Sequence, residues 1–95
     1  MNRAELIESL KNQQPPPELN QLAMALWYDG KGDWEKAHAI AQDISNQKGS
    51  LIHGYLHRKE GDQGNASYWY QLAGRPKPEM SLEEEWNNLV DEFLG

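Results

Sequence analysis

The chain has 95 residues, no cysteine and a formal net charge of −6. A chain of this length forms one domain, near the small end of the range that folds alone. Without cysteine, it can form neither a disulfide nor a thiolate metal site. The acidic balance and the lack of a basic stripe argue against a nucleic-acid-binding protein.

The chain also lacks the signals of a membrane or secreted protein. No apolar run approaches the roughly 20 residues that cross a bilayer, and the N-terminal residues do not resemble the apolar core of a secretory signal. These features predict a cytoplasmic protein that binds neither membrane nor nucleic acid.

Hydrophobic periodicity predicts helices throughout and no strand. A first helix is predicted over residues 2–13, and the proline run 15–17 ends it because proline fixes φ and lacks an amide donor. Two pairs of helices follow, within 18–46 and 50–78, and a last helix covers 81–94. Short connections favour antiparallel neighbours. We therefore expect a single all-α domain of about six helices.

Glycine–aspartate pairs mark the turns inside the two helix pairs. Gly32 can adopt the left-handed conformation of a helix C-terminus, and Asp33 is a good N-cap for the next helix. Gly61 and Asp62 repeat this glycine–aspartate pair 29 residues later. Further on, Ser81 begins a capping box with the glutamate three residues downstream.

The repeated turn belongs to a longer internal repeat. Ala37 follows the first turn at the same spacing at which Ala66 follows the second, and Gly54 and Tyr70 occupy a small and an aromatic position of the second copy. This pattern resembles the tetratricopeptide repeat, and residues 66–73 resemble the second helix of a Sel1-like repeat. The period of 29 residues is shorter than the tetratricopeptide period of about 34.

The resemblance covers residues 18–78 and implies two tandem helical hairpins, the first at 18–46 and the second at 50–78. Small residues would let the paired helices approach closely, and we expect Gly54 to face Ala66. A hairpin array exposes apolar surface at its end. We therefore expect residues 81–94 to dock as a capping helix.

Two histidines are the most distinctive candidate site. His53 and His57 share a helix face at the spacing of paired metal ligands. Zinc would need a third ligand, for which His38 and Glu60 are candidates. We expect both histidines to be structural, bonded to Tyr70 or to a backbone carbonyl, with no stoichiometric metal and no cofactor. A small-ligand or metal-binding face is the alternative.

Two aromatic residues and a basic residue complete the candidate contacts. Tyr68 and Trp69 are adjacent on one helix and point about 100° apart, so at least one should be exposed. Arg58 belongs to a basic concentration for which we expect a solvated surface or a pairing with the acidic last helix, and the alternative is capture of an acidic peptide or carboxylate. The candidate ligand or partner contacts are therefore His53, His57, Arg58, Tyr68 and Trp69.

No catalytic motif is present, since the sequence contains no nucleophile elbow, P-loop or dinucleotide-binding glycine motif. We expect a protein that is not an enzyme. The repeat resemblance favours a protein-interaction module of the adaptor or scaffold kind, which binds a protein partner or a second copy of itself. The alternative is a small-ligand or metal-binding domain that uses the face of His53 and His57.

Overall fold

The computed structural model describes residues 1–94, which form six helices and no strand. The predicted all-α fold of about six helices is therefore confirmed. The helices are α1 (Arg3–Ser9), α2 (Gln21–Gly30), α3 (Trp34–Gln42), α4 (Gln47–Glu60), α5 (Gln63–Ala73) and α6 (Leu82–Leu94).

Three predicted helix boundaries are wrong, and asparagine caps explain two of them. α2 begins at residue 21 because the Asn20 side chain accepts a hydrogen bond from the Ala23 amide. α4 begins at residue 47, three residues earlier than predicted, because Asn46 caps the Gly49 amide in the same way. α1 ends at Ser9 rather than at residue 13, well before the proline run that was expected to end it.

The two glycine–aspartate turns have the same backbone geometry. Gly32 and Gly61 have φ of 86° and 89°, values that residues with a side chain rarely adopt. Asp33 and Asp62 follow them, and each accepts a hydrogen bond from the amide three residues downstream. The turns join α2 to α3 and α4 to α5, and the joined helices pack against each other.

Helix α4 lies at the centre of the structure, in contact with α2, α3, α5 and α6. Residues 51–57 are all buried. The Tyr55 hydroxyl donates to the buried Asp29 carboxylate at 2.7 Å, and the Lys59 ammonium donates to the same carboxylate at 2.8 Å. The polar side chains of so deeply buried a segment must find hydrogen-bond partners within the protein.

The close contact between α4 and α5 depends on Gly54. We expected Gly54 to face Ala66, but a Cβ atom at Gly54 would meet three ring atoms of Tyr70 at 3.2–3.3 Å. The Tyr70 ring cannot move away easily because its hydroxyl donates to Glu85 at 2.5 Å. Position 54 therefore has no room for a large side chain.

The last helix docks on α2 and α4 and also contacts α1. Its Leu89, Val90 and Phe93 are buried. The indole of Trp86 donates to the Leu26 carbonyl at 3.0 Å. The helix thus covers one side of α2 and α4 and shields apolar surface there.

A buried ion pair fixes α6 to the rest of the domain. Glu85 accepts from the Arg58 guanidinium at 2.7 Å and from the Tyr70 hydroxyl, so one carboxylate joins α4, α5 and α6. The second terminal nitrogen of the Arg58 guanidinium donates to the Met80 carbonyl. Within residues 1–94, no helix is both long enough and apolar enough to cross a membrane.

Gly54→Leu is expected to lower the free energy of unfolding by about 1–3 kcal/mol, because the new side chain overpacks the contact with Tyr70. Gly64→Ala is the matched control. A Cβ atom at Gly64 meets nothing within 4 Å, so this change should be neutral or stabilising by up to about 1 kcal/mol. Thermal and urea unfolding of both variants measure the difference, and equal stabilities would contradict the close contact.

Truncation after Pro78 is expected to unfold the domain or to abolish its cooperative melting transition. Each large apolar side chain lost with α6 contributes about 1.5–3 kcal/mol of burial, out of about 5–15 kcal/mol for a whole domain. Circular dichroism and thermal melting measure the loss. Full-length Glu83→Ala, which changes an exposed residue of α6, should melt like the parent. A truncated chain with an unchanged melting temperature would show that α6 is dispensable.

Candidate functional site

The three histidines of the chain form a single cluster. His53 and His57 lie one turn apart on α4, and His38 reaches them from α3. The Nε2 atoms of His53 and His38 are 2.8 Å apart. One ring nitrogen from each of the three histidines lies within 4.8 Å of the other two. The packing of α3 on α4 therefore brings together residues that are 15 and 19 positions apart.

Two tryptophans border the cluster. The Trp34 ring stacks on His38 with 4.8 Å between the ring centroids, and the Trp69 ring of α5 stacks on His53 at 3.8 Å. The buried histidines of α4 form the floor, and half-exposed side chains of α3 and α5 form the walls. We call this surface the histidine groove, lined by Trp34, His38, His53, His57 and Trp69.

Hydrogen bonds orient two of the rings in the groove. The indole of Trp34 donates to the Leu56 carbonyl at 2.8 Å. Nδ1 of His57 lies 2.6 Å from a carboxylate oxygen of Glu60. Since a carboxylate accepts, Nδ1 carries a proton and donates it to Glu60.

Two of the histidines have lowered pKa values. Burial, together with repulsion from positive charge on the neighbouring His38 and His57, lowers the pKa of His53 to about 4. Burial and the proximity of His57 also lower the pKa of His38, whereas Glu60 opposes that shift. Both imidazoles are therefore neutral at pH 7.

The predicted contact residues divide between two regions of the structure. His53, His57 and Trp69 meet in the histidine groove, and the exposed Tyr68 lies next to Trp69 on α5. Arg58 lies apart from them and pairs with Glu85 of α6, which is one of the three sequence-based interpretations. The expected bond between either histidine and Tyr70 is not found, because the Tyr70 hydroxyl donates to α6 instead.

Sequence reasoning did not place Trp34 beside the histidines and named His38 only as a candidate third ligand. The spacing of four residues between Trp34 and His38 indicated that the two rings share a face of α3. No local pattern indicated which face of α3 meets α4.

Comparisons of this chain with protein-family models, with curated proteins and with solved structures found no match. A fold class does not identify a function by itself, so function is argued from the chemistry of the surfaces described above.

Acidification is expected to destabilise the protein through His53. Its pKa is about 4 in the folded chain and about 6.5 in an unfolded one. Between these values the unfolded state binds more protons, so the free energy of unfolding falls as the pH drops from about 6.5 to about 4. Below pH 4 His53 is protonated in both states and contributes no further change.

Urea unfolding with a metal chelator at a series of pH values tests this expectation. In His53→Gln, the free energy of unfolding should fall by about 1–3 kcal/mol less than in the parent between pH 6.5 and pH 4. The carboxylates that drive general acid denaturation are common to both proteins, so the difference isolates His53 from groups such as Glu60. Parallel curves for the two proteins would contradict the shifted pKa.

Proposed function

We propose that this chain is a protein-interaction module of the tetratricopeptide or Sel1-like kind, and that it associates with a second copy of itself through the outer face of α5. The observation that supports the proposal is the composition of α5. None of its 11 residues is charged, although 25% of the chain is charged. Cores of protein interfaces are depleted in charge and enriched in aromatic residues.

The exposed side chains of α5 have the character of interface residues. Tyr68 and Leu72 are 56% and 46% exposed, and their spacing of four residues places them on one helix face. Trp69 lies beside Tyr68, half-buried against His53. Tyrosine and tryptophan residues frequently contribute most of the energy of a contact.

A partner-binding surface on the opposite side of the domain is less favourable, because α6 already covers α2 and α4 there. The contacts of α6 with those helices include a buried ion pair between Glu85 and Arg58. A partner on that side would have to displace α6 and leave a buried charge without its partner, which costs about 3–5 kcal/mol. The side that α3 and α5 form can bind a partner without displacing α6.

A second copy is the partner that the charge distribution favours. The whole excess charge of −6 lies within residues 79–92, so two copies repel each other most strongly where these segments face one another. The uncharged outer face of α5 is where two copies can meet with the least repulsion. A twofold arrangement would pair the same face with itself, so Tyr68 and Leu72 of one copy would cover those of the other.

Analytical ultracentrifugation from micromolar to millimolar concentration tests the proposal. We expect reversible dimerisation that Tyr68→Lys or Leu72→Lys weakens at least tenfold, because either variant places a charge at the centre of the contact. Gln13→Lys is the control, since it adds the same charge at an exposed site outside α5. A chain that is monomeric throughout, or a dimer that Tyr68→Lys does not weaken, would refute the proposal.

A further inference from the structure

We infer that the histidine groove binds one divalent transition-metal ion of the zinc class through His38, His53 and His57. This inference goes beyond the proposed self-association and does not depend on it. The three ligands come from two helices that pack together, so the fold brings them into position without an ion. All three histidines of the chain take part.

The spacing of the ring nitrogens fits a tetrahedral ion. Zinc lies about 2.0–2.1 Å from histidine nitrogens, so two ligand nitrogens of a tetrahedral site are about 3.3 Å apart. The Nε2 atoms of His53 and His38 are 2.8 Å apart, and all three ligand nitrogens lie within 4.8 Å of one another. Small rotations of the imidazole rings would bring these nitrogen–nitrogen distances to the tetrahedral value.

Glu60 provides the second support for an ion. Zinc-binding histidines commonly donate their other ring N–H to a carboxylate, which orients the ring and strengthens the ligand nitrogen. His57 makes this bond with Glu60 at 2.6 Å, and the bond leaves Nε2 available for the ion. The chain therefore has both the ligands of such a site and the group that orients one of them.

The ligand type of the cluster selects the class of ion. A histidine binds an ion through an unprotonated ring nitrogen. Imidazole ligands suit zinc, nickel and copper, whereas magnesium and calcium prefer oxygen ligands. The site should therefore discriminate strongly against magnesium.

We expected no metal because no third ligand was obvious in the sequence. The position of His38 beside the other two histidines removes that reason.

A second group of ligands, consisting of His57, Glu60 and Asp62, also has its ligand atoms within 4.8 Å of one another. In this group the Asp62 carboxylate already accepts hydrogen bonds from Asn65 as the cap of α5, and both carboxylates are exposed. The cluster of three histidines is the better site.

Three protein ligands leave the fourth position of a tetrahedral ion for water or another ligand. Because His38 lies on α3 and the other two ligands lie on α4, a bound ion would also link these helices. The rings of Trp34 and Trp69 stack on two of the ligands and should therefore report binding through a change in fluorescence.

Calorimetric titration of the full chain, freed of any affinity tag and stripped of metal, tests the inference with zinc chloride. We expect one ion per chain with a dissociation constant in the micromolar range or tighter, and a raised melting temperature. Magnesium chloride should give no binding heat and no shift in melting temperature. Cobalt should give the intense visible absorption of a four-coordinate ion.

Variants identify the ligands. His38→Gln should weaken zinc binding at least 100-fold, and because His38 is only half-buried the variant should remain folded by circular dichroism. Glu60→Gln should weaken binding about 10–100-fold, as expected for loss of an orienting carboxylate. Asp62→Asn keeps a good N-cap and should bind zinc like the parent. No binding at millimolar zinc, or binding that Asp62→Asn abolishes and His38→Gln does not, would overturn the inference.

Discussion

The burial of α4 is the constraint on which the rest of this structure depends. Seven consecutive residues of this helix, 51–57, are buried, and four other helices contact it. Each polar side chain on α4 must therefore find a partner on another element or within its own last turn. Among residues 1–94, no buried side-chain nitrogen or oxygen lacks a hydrogen-bond partner, which shows how completely the surrounding residues satisfy this requirement.

The partners of α4 determine which sides of the domain are covered and which are open. On one side Arg58 pairs with Glu85, and this pair together with the apolar stripe of α6 closes the surface of α2 and α4. On another side His53 and His57 meet α3 and α5 rather than a covering helix. Tyr68, Trp69 and the histidine groove lie on this second side, away from α6.

The two proposals concern neighbouring parts of this open side but different physical interactions. Self-association depends on the uncharged outer face of α5, where Tyr68 and Leu72 can be buried without desolvating a charge. Metal binding depends on imidazole nitrogens below that face. Trp69 belongs to both regions, since it stacks on His53 and lies next to Tyr68. Its ring thus connects the two regions.

The features that the sequence alone determined are those with local causes. Apolar spacing indicated six helices, and the glycine–aspartate turns were predicted because a positive φ and a free helix amide each depend on a few adjacent residues. The spacing of His53 and His57 followed in the same way. The boundary errors were also local, since the caps at Asn20 and Asn46 could have been recognised.

Only the tertiary structure decided which residues from different helices meet. His38 contacts the other histidines, and Glu85 contacts Arg58 and Tyr70, because whole helices pack together. These residues are 15 or more positions apart in the sequence. Such contacts depend on the summed burial of many side chains rather than on any short pattern. Local periodicity indicates that a helix has an apolar face, but the face that it meets is chosen by the packing of the complete core.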